Sequence, residues 1–404
     1  MPERMSDDTS KIIKTSRKKS KGISKDDIFI TGSIDIPFLA LTIALLTIGL
    51  VMLFSASYPY AYYKHNHDSF YFFTRQIIFA VVGLIAMFVM SKFNYKLLKV
   101  VVVPLLAVTI LLLIIVLFYH TNVGGADDSD FKRWIPLPGG FTFQPSDLAK
   151  FTLILTFASY ISNYYGKMRK FRYGILYPLG IIAIFCGLIF LEHHMSCTIL
   201  MFFIGATLMF VGGSDWKLFA FGVALLILVI FVVVTFPEMI ENYAGDRIKA
   251  WLDKDFDPSG GRWQTNNSLY AIGSGGFFGT GLGNSKQKYL YVSEPQNDFI
   301  FSIVCEELGF LGAAIIIFLF GALVVRGFII AARCHDKFGG LLTIGVVAQI
   351  GIQVAFNIMV VTDTIPNTGI ALPFFSYGGT AILMLLFESG VVLSVSRKSS
   401  QQKV

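Results

Sequence analysis

Carboxylates set among apolar residues are the first chemistry this sequence offers. The segment Glu294-Pro295-Gln296-Asn297-Asp298-Phe299-Ile300-Phe301 leads from a polar loop into a long apolar run, and Glu306-Glu307 follow inside that run. Asp298 falls where loop becomes helix. There it either complements the positive end of the helix dipole or stands as a proton acceptor for a weak nucleophile such as a hydroxyl. Glu306 comes eight residues later, ~12 Å deeper along a helix, and at ~100° per residue it faces a direction similar to Asp298. Ionisable groups at membrane depth are costly and mark functional sites by default. Two adjacent carboxylates at such depth turn away from lipid, towards either a buried base or a substrate.

Three further segments carry polar residues into apolar surroundings. Phe143-Gln144-Pro145-Ser146-Asp147-Leu148-Ala149-Lys150 opens another apolar run, and Lys150 is the expected partner of Glu306 or Glu307 in a buried charge network. Leu372-Pro373-Phe374-Phe375-Ser376-Tyr377-Gly378-Gly379-Thr380 is either a turn or a break that opens backbone groups to a cavity. The run Gly273–Gly283 invites a phosphate-loop reading, but it lacks the GxxxxGK[ST] spacing. Lys286 and Lys288 beside it remain point charges able to meet a pyrophosphate. His193-His194 has no third ligand in view among six scattered histidines, which favours a structural role at a helix junction. The four cysteines, Cys186, Cys197, Cys305 and Cys334, lie in or at the ends of apolar runs with no CxxC spacing. They read as packing residues, not as a disulfide framework or a zinc site.

What must hold these residues is a membrane bundle. Apolar residues make up 54% of the chain and charged ones 15%, too few for the surface of a soluble domain. Spans of ~20 apolar residues centre on 36–56, 71–91, 98–119, 146–163, 174–191, 196–212, 217–236, 299–325, 338–361 and 377–396. The chain is therefore expected to be an all-α integral membrane protein, a polytopic bundle of about ten transmembrane helices. Residues 1–34 read as a basic cytoplasmic tail, 35–396 as the membrane domain and 397–404 as a short cytoplasmic tail. The first apolar run is too long for a cleaved signal peptide. With both termini inside, about two-thirds of the Lys and Arg fall in inner segments, as the positive-inside rule expects. The basic tail, with Lys11, Lys14, Arg17, Lys18, Lys19, Lys21 and Lys25, is then a topology signal and not a nucleic-acid arm. Residues 237–297 form a large extracellular loop between spans 7 and 8. Its tryptophans, tyrosines and glycines predict that it folds back onto the bundle.

Taken together and in order, these segments resemble the SEDS family, that of FtsW, RodA and SpoVE. The resemblance covers about 36–397 and is most specific at Ser268–Gly283 (SLYAIGSGGFFGTGLG), Lys286–Gly309 (KQKYLYVSEPQNDFIFSIVCEELG) and Leu372–Thr380 (LPFFSYGGT). Phe143–Lys150 and Arg247–Pro258 match more weakly. SLYAIGSGG and the EPQ tripeptide lean towards the FtsW and SpoVE branch. The resemblance implies a peptidoglycan glycosyltransferase that polymerises lipid II on the outer face of the bacterial cytoplasmic membrane, in division or in related septal or cortex wall synthesis. It places the key carboxylate at Asp298, which would take the proton of the acceptor GlcNAc 4-hydroxyl during inverting attack on the donor MurNAc C1, with undecaprenyl pyrophosphate leaving. Residues implied in substrate binding are Arg133, Trp134, Gln144, Ser146, Lys150, Arg247, Gln264, Ser268, Lys286, Lys288, Glu294, Ser376, Tyr377, Gly378 and Gly379. No cofactor is demanded. A divalent cation, magnesium or manganese, would serve the pyrophosphate, though no metal-ligand cluster is evident. Implied partners are lipid II, a class B penicillin-binding protein transpeptidase, other divisome or elongation-complex membrane proteins and membrane lipids, with no nucleic acid.

The chain departs from the family pattern at several places. Asp147 stands for Glu, Asn267 for Gln, Ser293 for Pro, Asn297 for Thr, Asp363 for Gly and Ala371 for Pro, and Glu192–Thr198 replaces a Gln-Pro-Asp-x-Gly-Thr run. Two other functions stay open, of which the first shares the amphiphilic cavity and buried charges. A lipid II flippase needs gates at both faces, and a scaffold that recruits a transpeptidase has no need of Asp298.

Overall fold

The computed structural model describes residues 28–118, 133–138, 141–222, 243–253, 260 and 262–401. Its principal helices are α1 (Ile36–Lys64), α2 (Tyr71–Lys92), α3 (Leu98–Val116), α4 (Pro145–Tyr164), α5 (Tyr177–Leu191), α6 (Met195–Val211), α7 (Tyr243–Leu252), α8 (Trp263–Gly275), α9 (Ile300–Arg333), α10 (Lys337–Val361) and α11 (Gly379–Gln401). One antiparallel hairpin precedes α4: β1 (Ile135–Leu137) pairs with β2 (Phe141–Phe143) in the register Ile135 to Phe143. Among the described residues seven helices are long and apolar enough to cross a membrane, and α6 is a shorter apolar helix. The expected spans at 36–56, 71–91, 98–119, 146–163, 174–191, 196–212, 338–361 and 377–396 each correspond to a helix. Most of the expected seventh span, 217–236, lies outside the described residues, as do the tail 1–27, much of the first loop and residues 254–259.

Caps and prolines set several helix starts. Asp35 accepts from Phe38 N at 3.0 Å to open α1, and Asp336 accepts from Gly339 N at 3.4 Å to open α10. Pro145 sits in the first turn of α4, where its missing N–H costs nothing. The core lies around α4, α10 and α11, whose faces are mostly buried, while α2 and α3 turn most of their surface outward. The closest helix pair is α2 with α11, which lie together along much of their length. Glycines permit that approach: a Cβ on Gly390 would come within 2.6 Å of the Met87 carbonyl oxygen.

The α9 helix explains the glycine-rich run that precedes it. At 34 residues it would be ~51 Å long, far more than a bilayer core of ~30 Å. It is broken at Gly309, whose φ of 67° lies in the left-handed region. The break removes the helical bonds from Phe310 and Leu311 back to Glu306 and Glu307. Those four backbone groups find partners in the glycine-rich run instead. Phe310 N donates to Gly276 O at 2.9 Å, Leu311 N to Phe277 O at 3.1 Å, Thr280 N to Glu306 O at 2.9 Å and Gly281 N to Glu307 O at 3.0 Å. Only glycine allows the backbones so near: a Cβ on Gly275 would lie 2.0 Å from Cys305 O and one on Gly279 2.2 Å from Glu307 O. The run is a backbone interlock that holds the broken helix.

The loop before α9 folds back onto the bundle, as its aromatic content predicts. Trp251 Nε1 donates to Asp363 O at 3.0 Å, and Ser268 Oγ donates to Val361 O at 2.8 Å. At the opposite end of the bundle, Asp35 N donates to Ser396 Oγ at 3.2 Å, and the Arg397 guanidinium donates to Gly32 O at 2.9 Å. The start of α1 and the end of α11 are thus joined.

Candidate functional site

Asp298 lies in a turn just ahead of α9, not on the helix itself. Its direction therefore does not follow the helical phase that pairs it with Glu306. Its carboxylate faces Gly369 and Ser196: a Cβ built on Gly369 would lie 3.5 Å from Asp298 Oδ2 and 3.7 Å from Ser196 Oγ. Asn357 fixes its backbone, with Nδ2 donating to Asp298 O at 2.6 Å and to Ile370 O at 2.7 Å. Ser376 Oγ donates to Asn297 O at 2.7 Å, and Tyr377 N donates to Gln296 O at 2.8 Å. The acid thus hangs between α10, the 362–378 loop and the first turn of α6.

Burial pushes the Asp298 carboxyl up to about 6, against hydrogen bonds from its own and the Phe299 backbone N–H. Glu294 raises it further and Arg247 lowers it. A carboxyl held near 6 is ionised at neutral pH yet basic enough to take a proton. Glu294 is positioned by Asn297, whose Nδ2 donates to it at 2.7 Å. Arg247 donates to Asn367 O at 2.9 Å. Gln264 Nε2 donates to Ser293 O at 2.9 Å, and Asn367 Nδ2 donates to Gln264 Oε1 at 3.4 Å. Asp298, Glu294, Arg247 and Gln264 are therefore brought together.

A second group adjoins the first through Ser196. Arg133 donates to His193 O, and Ser146 Oγ lies 3.5 Å from His194 Nδ1. Burial, then Arg133 and Lys150, hold the His194 imidazole well below its usual range, so it is neutral. Glu192 is fully buried with no hydrogen-bond partner on either carboxylate oxygen. Burial raises it to about 8 against the pull of Arg133, so it is protonated at neutral pH. Trp134 follows Arg133 ahead of the hairpin, and Gln144 precedes α4. Gly378 N donates to Gln76 Oε1 at 3.1 Å, and Gly379 packs beneath the Phe79 ring.

The expected pairing of Lys150 with Glu306 or Glu307 does not occur. Lys150 Nζ pairs with Asp147 three residues earlier at 2.9 Å, and Thr380 Oγ1 donates to the same carboxylate at 2.8 Å. One helical turn brings Asp147 and Lys150 to the same face, so no distant partner is needed. The base beside Glu307 is Lys288, at 2.8 Å. Its ammonium also donates to Gly283 O at 2.7 Å and Ser55 Oγ at 3.2 Å, which uses its three donors. Glu306 accepts from Lys286 N at 2.8 Å and Ser285 Oγ at 2.5 Å. Glu306, Glu307 and Lys288 hold the 283–288 loop to the broken helix, and Lys288 is committed there and not to a pyrophosphate. Ser268 and Ser376 are likewise buried in backbone bonds. Lys286 is exposed.

Among the described residues seven non-glycine positions have positive φ: Asn66, His67, His193, Leu290, Glu294, Asp363 and Phe374. Such strain clusters where surrounding structure fixes a site. At Asp363, where the family usually has glycine, a φ of 56° meets a residue type that tolerates it. The carboxylate also receives Arg262 Nη2 at 2.6 Å. Sequence reading missed Gln76, Asn357 and Arg262. The first two are polar residues inside apolar spans, the signal that flags functional positions in a membrane. Among the described residues no three His, Cys, Asp or Glu side chains converge as a metal site.

A family model described as a cell cycle protein, covering FtsW, RodA and SpoVE, matches residues 37–401. The chain is 39% identical over 373 residues to the stage V sporulation protein E of Bacillus subtilis, covering 90% of this chain and 97% of the relative. It is 38% identical over 370 residues to a probable peptidoglycan glycosyltransferase FtsW of Trichlorobacter lovleyi, covering 90% and 93%. Among solved structures it matches a chain from work described as "Structural coordination of polymerization and crosslinking by a peptidoglycan synthase complex". That match has a TM-score of 0.74 at 26% identity and covers 91% of this chain and 99% of the other. It also matches the rod shape determining protein RodA of Thermus thermophilus, with a TM-score of 0.64 at 25% identity, covering 91% and 97%.

Proposed function

The chain belongs to the FtsW, RodA and SpoVE family of multi-pass bacterial membrane proteins, and on that premise we propose that Asp298 is the general base of a glycosyltransferase that polymerises lipid II. The enzyme makes peptidoglycan strands, in division or sporulation. The observation that carries the role of Asp298 is a partly buried carboxyl, poised at about 6, between Glu294 and Arg247 at one end of the bundle. Asp298 accepts the proton of the acceptor GlcNAc 4-hydroxyl as its oxygen bonds to the donor MurNAc C1. The C1–oxygen bond to the pyrophosphate breaks, and the electron pair leaves with undecaprenyl pyrophosphate. One displacement inverts the anomeric centre, so a single carboxylate suffices.

Arg133, Arg247 and Lys286 are the cations that steady the leaving pyrophosphate, with Trp134, Gln144, Gln264, Glu294, Tyr377 and Gly378 along the substrate path. A magnesium or manganese ion would have to take most of its oxygen ligands from the pyrophosphate, because among the described residues no carboxylate cluster offers them. The site opens outward and both termini are cytoplasmic. The joined ends of α1 and α11 lie opposite Asp298 and beside basic residues, which supports that orientation. The partner is a class B transpeptidase that crosslinks the strands, alongside other division or elongation membrane proteins.

The test is lipid II polymerisation by the purified protein with its transpeptidase partner. Wild type yields glycan strands and Asp298→Asn yields none, with the variant's fold checked by thermal unfolding. Equal strand synthesis by both removes Asp298 as the base. Loss of synthesis in both, with lipid II crossing liposome membranes, points to a flippase. Transpeptidase recruitment alone leaves a scaffold.

A further inference from the structure

At the end of the bundle away from Asp298, an open pocket of about 720 Å³ is lined by Tyr165, Arg169, Gly212, Gly213, Asp215 and Trp216, among others. Its volume falls in the range of ligand pockets. The helix ends that build it are tied together: Ser214 Oγ donates to Gly174 O at 3.0 Å, and the last carbonyls of α6 are capped by Gly212, Gly213 and Ser214 N. The negative end of the α6 dipole is therefore partly satisfied.

One cation lines this pocket, a second reaches a lining ring, and two more stand on aromatic rings of the neighbouring segment. Arg169 lines it, and Lys337 places its ammonium 3.4 Å from the centre of the Tyr165 ring. Lys167 stands 5.3 Å over the Tyr173 ring, and Arg172 lies 5.9 Å from that of Tyr177. Among the described residues none of these four has a carboxylate within ion-pair distance. The one acid in the lining, Asp215, accepts from Lys217 N at 3.1 Å. Two lining residues, Tyr165 and Trp216, are exposed aromatics, and Tyr164, Phe171 and Tyr177 are exposed on the adjoining helix ends. Exposed aromatic residues at the ends of membrane helices sit at headgroup depth, so the pocket opens into the lipid interface and not into bulk water.

We propose that this pocket binds the phosphodiester headgroup of an anionic membrane phospholipid. Arg169 and Lys337 meet the phosphate, Trp216 and Tyr165 flank the glycerol region, and the acyl chains lie along the neighbouring apolar helices. Basic pockets between membrane helices recognise such headgroups. The inference is independent of the transferase reading and of which leaflet the pocket faces.

The experiment is native mass spectrometry of the full-length protein in detergent, titrated with phosphatidylglycerol or phosphatidylcholine. Wild type retains phosphatidylglycerol and not phosphatidylcholine. R169Q/K337Q weakens that retention on the order of tenfold, and the charge-conserving R169K/K337R restores it. K92Q/K96Q, a basic pair at the same end but outside the pocket, binds as wild type does. An excess of glycerol 3-phosphate leaves the lipid in place. Equal loss in the control pair, equal retention of phosphatidylcholine, displacement by glycerol 3-phosphate or unchanged binding in R169Q/K337Q would each overturn the assignment.

Discussion

Asp298 is held under an electrostatic cost, and that cost is measurable. Its folded value near 6 exceeds the ordinary 3.8. The folded state therefore keeps its proton over a range in which the unfolded chain has lost it. Stability then falls as pH rises from about 4 to about 6 and stays lower above that, by up to about 3 kcal/mol. Asp298→Asn is expected to abolish polymerisation yet raise the unfolding temperature at pH 7.5, by a few degrees in a thermal scan. The rate of strand synthesis should climb through pH 6 to a plateau as the base ionises. Glu294→Gln, which removes a neighbouring negative charge, should move that climb to lower pH. Arg247→Gln should move it to higher pH, both read from pH–rate profiles. The place of Asp298 at the mouth of an apolar run was legible in the sequence, but an acid in a first helical turn is common, and it was the family resemblance that singled it out. Its neighbours were less legible, since Arg247, Asn357 and Ser196 reach it from three separate segments. The partner of Lys150 was misjudged because charge alone does not choose between a carboxylate on the same helical turn and one on another helix.

The break in α9 governs the next scale. The glycine-rich run and the two glutamates are separate motifs in the sequence, and in the fold they are one joint. Gly309→Ala puts a side chain at a left-handed φ, which alone costs ~1–3 kcal/mol, and its Cβ would come within 2.2 Å of Gly279 N. We expect poor accumulation in the membrane and a sharply lowered unfolding temperature, whereas Gly321→Ala, with open space around its Cβ, should be silent. The Lys288–Glu307 pair is buried within the same joint. Removing either partner strands a charge at about 3–5 kcal/mol. In a double-mutant cycle, Lys288→Met with Glu307→Leu should lose less stability than the sum of the single changes. Sequence periodicity found the span but not this joint. An apolar pattern runs straight through Gly309, and the only cue is a glycine four residues beyond a glycine-rich loop's future contact at Cys305.

The whole molecule closes on itself at the end opposite Asp298. Gly32 lies against the Arg397 backbone, where a Cβ would come within 2.1 Å of the carbonyl oxygen. Cysteines placed at Ser33 and Ser400 should therefore react with a membrane-impermeant thiol reagent from the same face, and labelling from opposite faces would break the proposed topology. The bundle as a class was plain from composition and the length of the apolar runs, but which helices are neighbours was not, since lipid-facing and protein-facing apolar residues look alike. The principal partner of α2 is α11, which is made long after it. Some 300 residues separate them, on the order of tens of seconds of synthesis at 5–20 residues per second. Throughout that interval the Gln76 side chain, later bonded to Gly378 N and Ser376 O, has no permanent acceptor or donor. The newborn α2 thus waits in the membrane for a helix that is still inside the ribosome. A chain truncated before Gly379 would leave it waiting indefinitely, as a target for quality-control proteolysis.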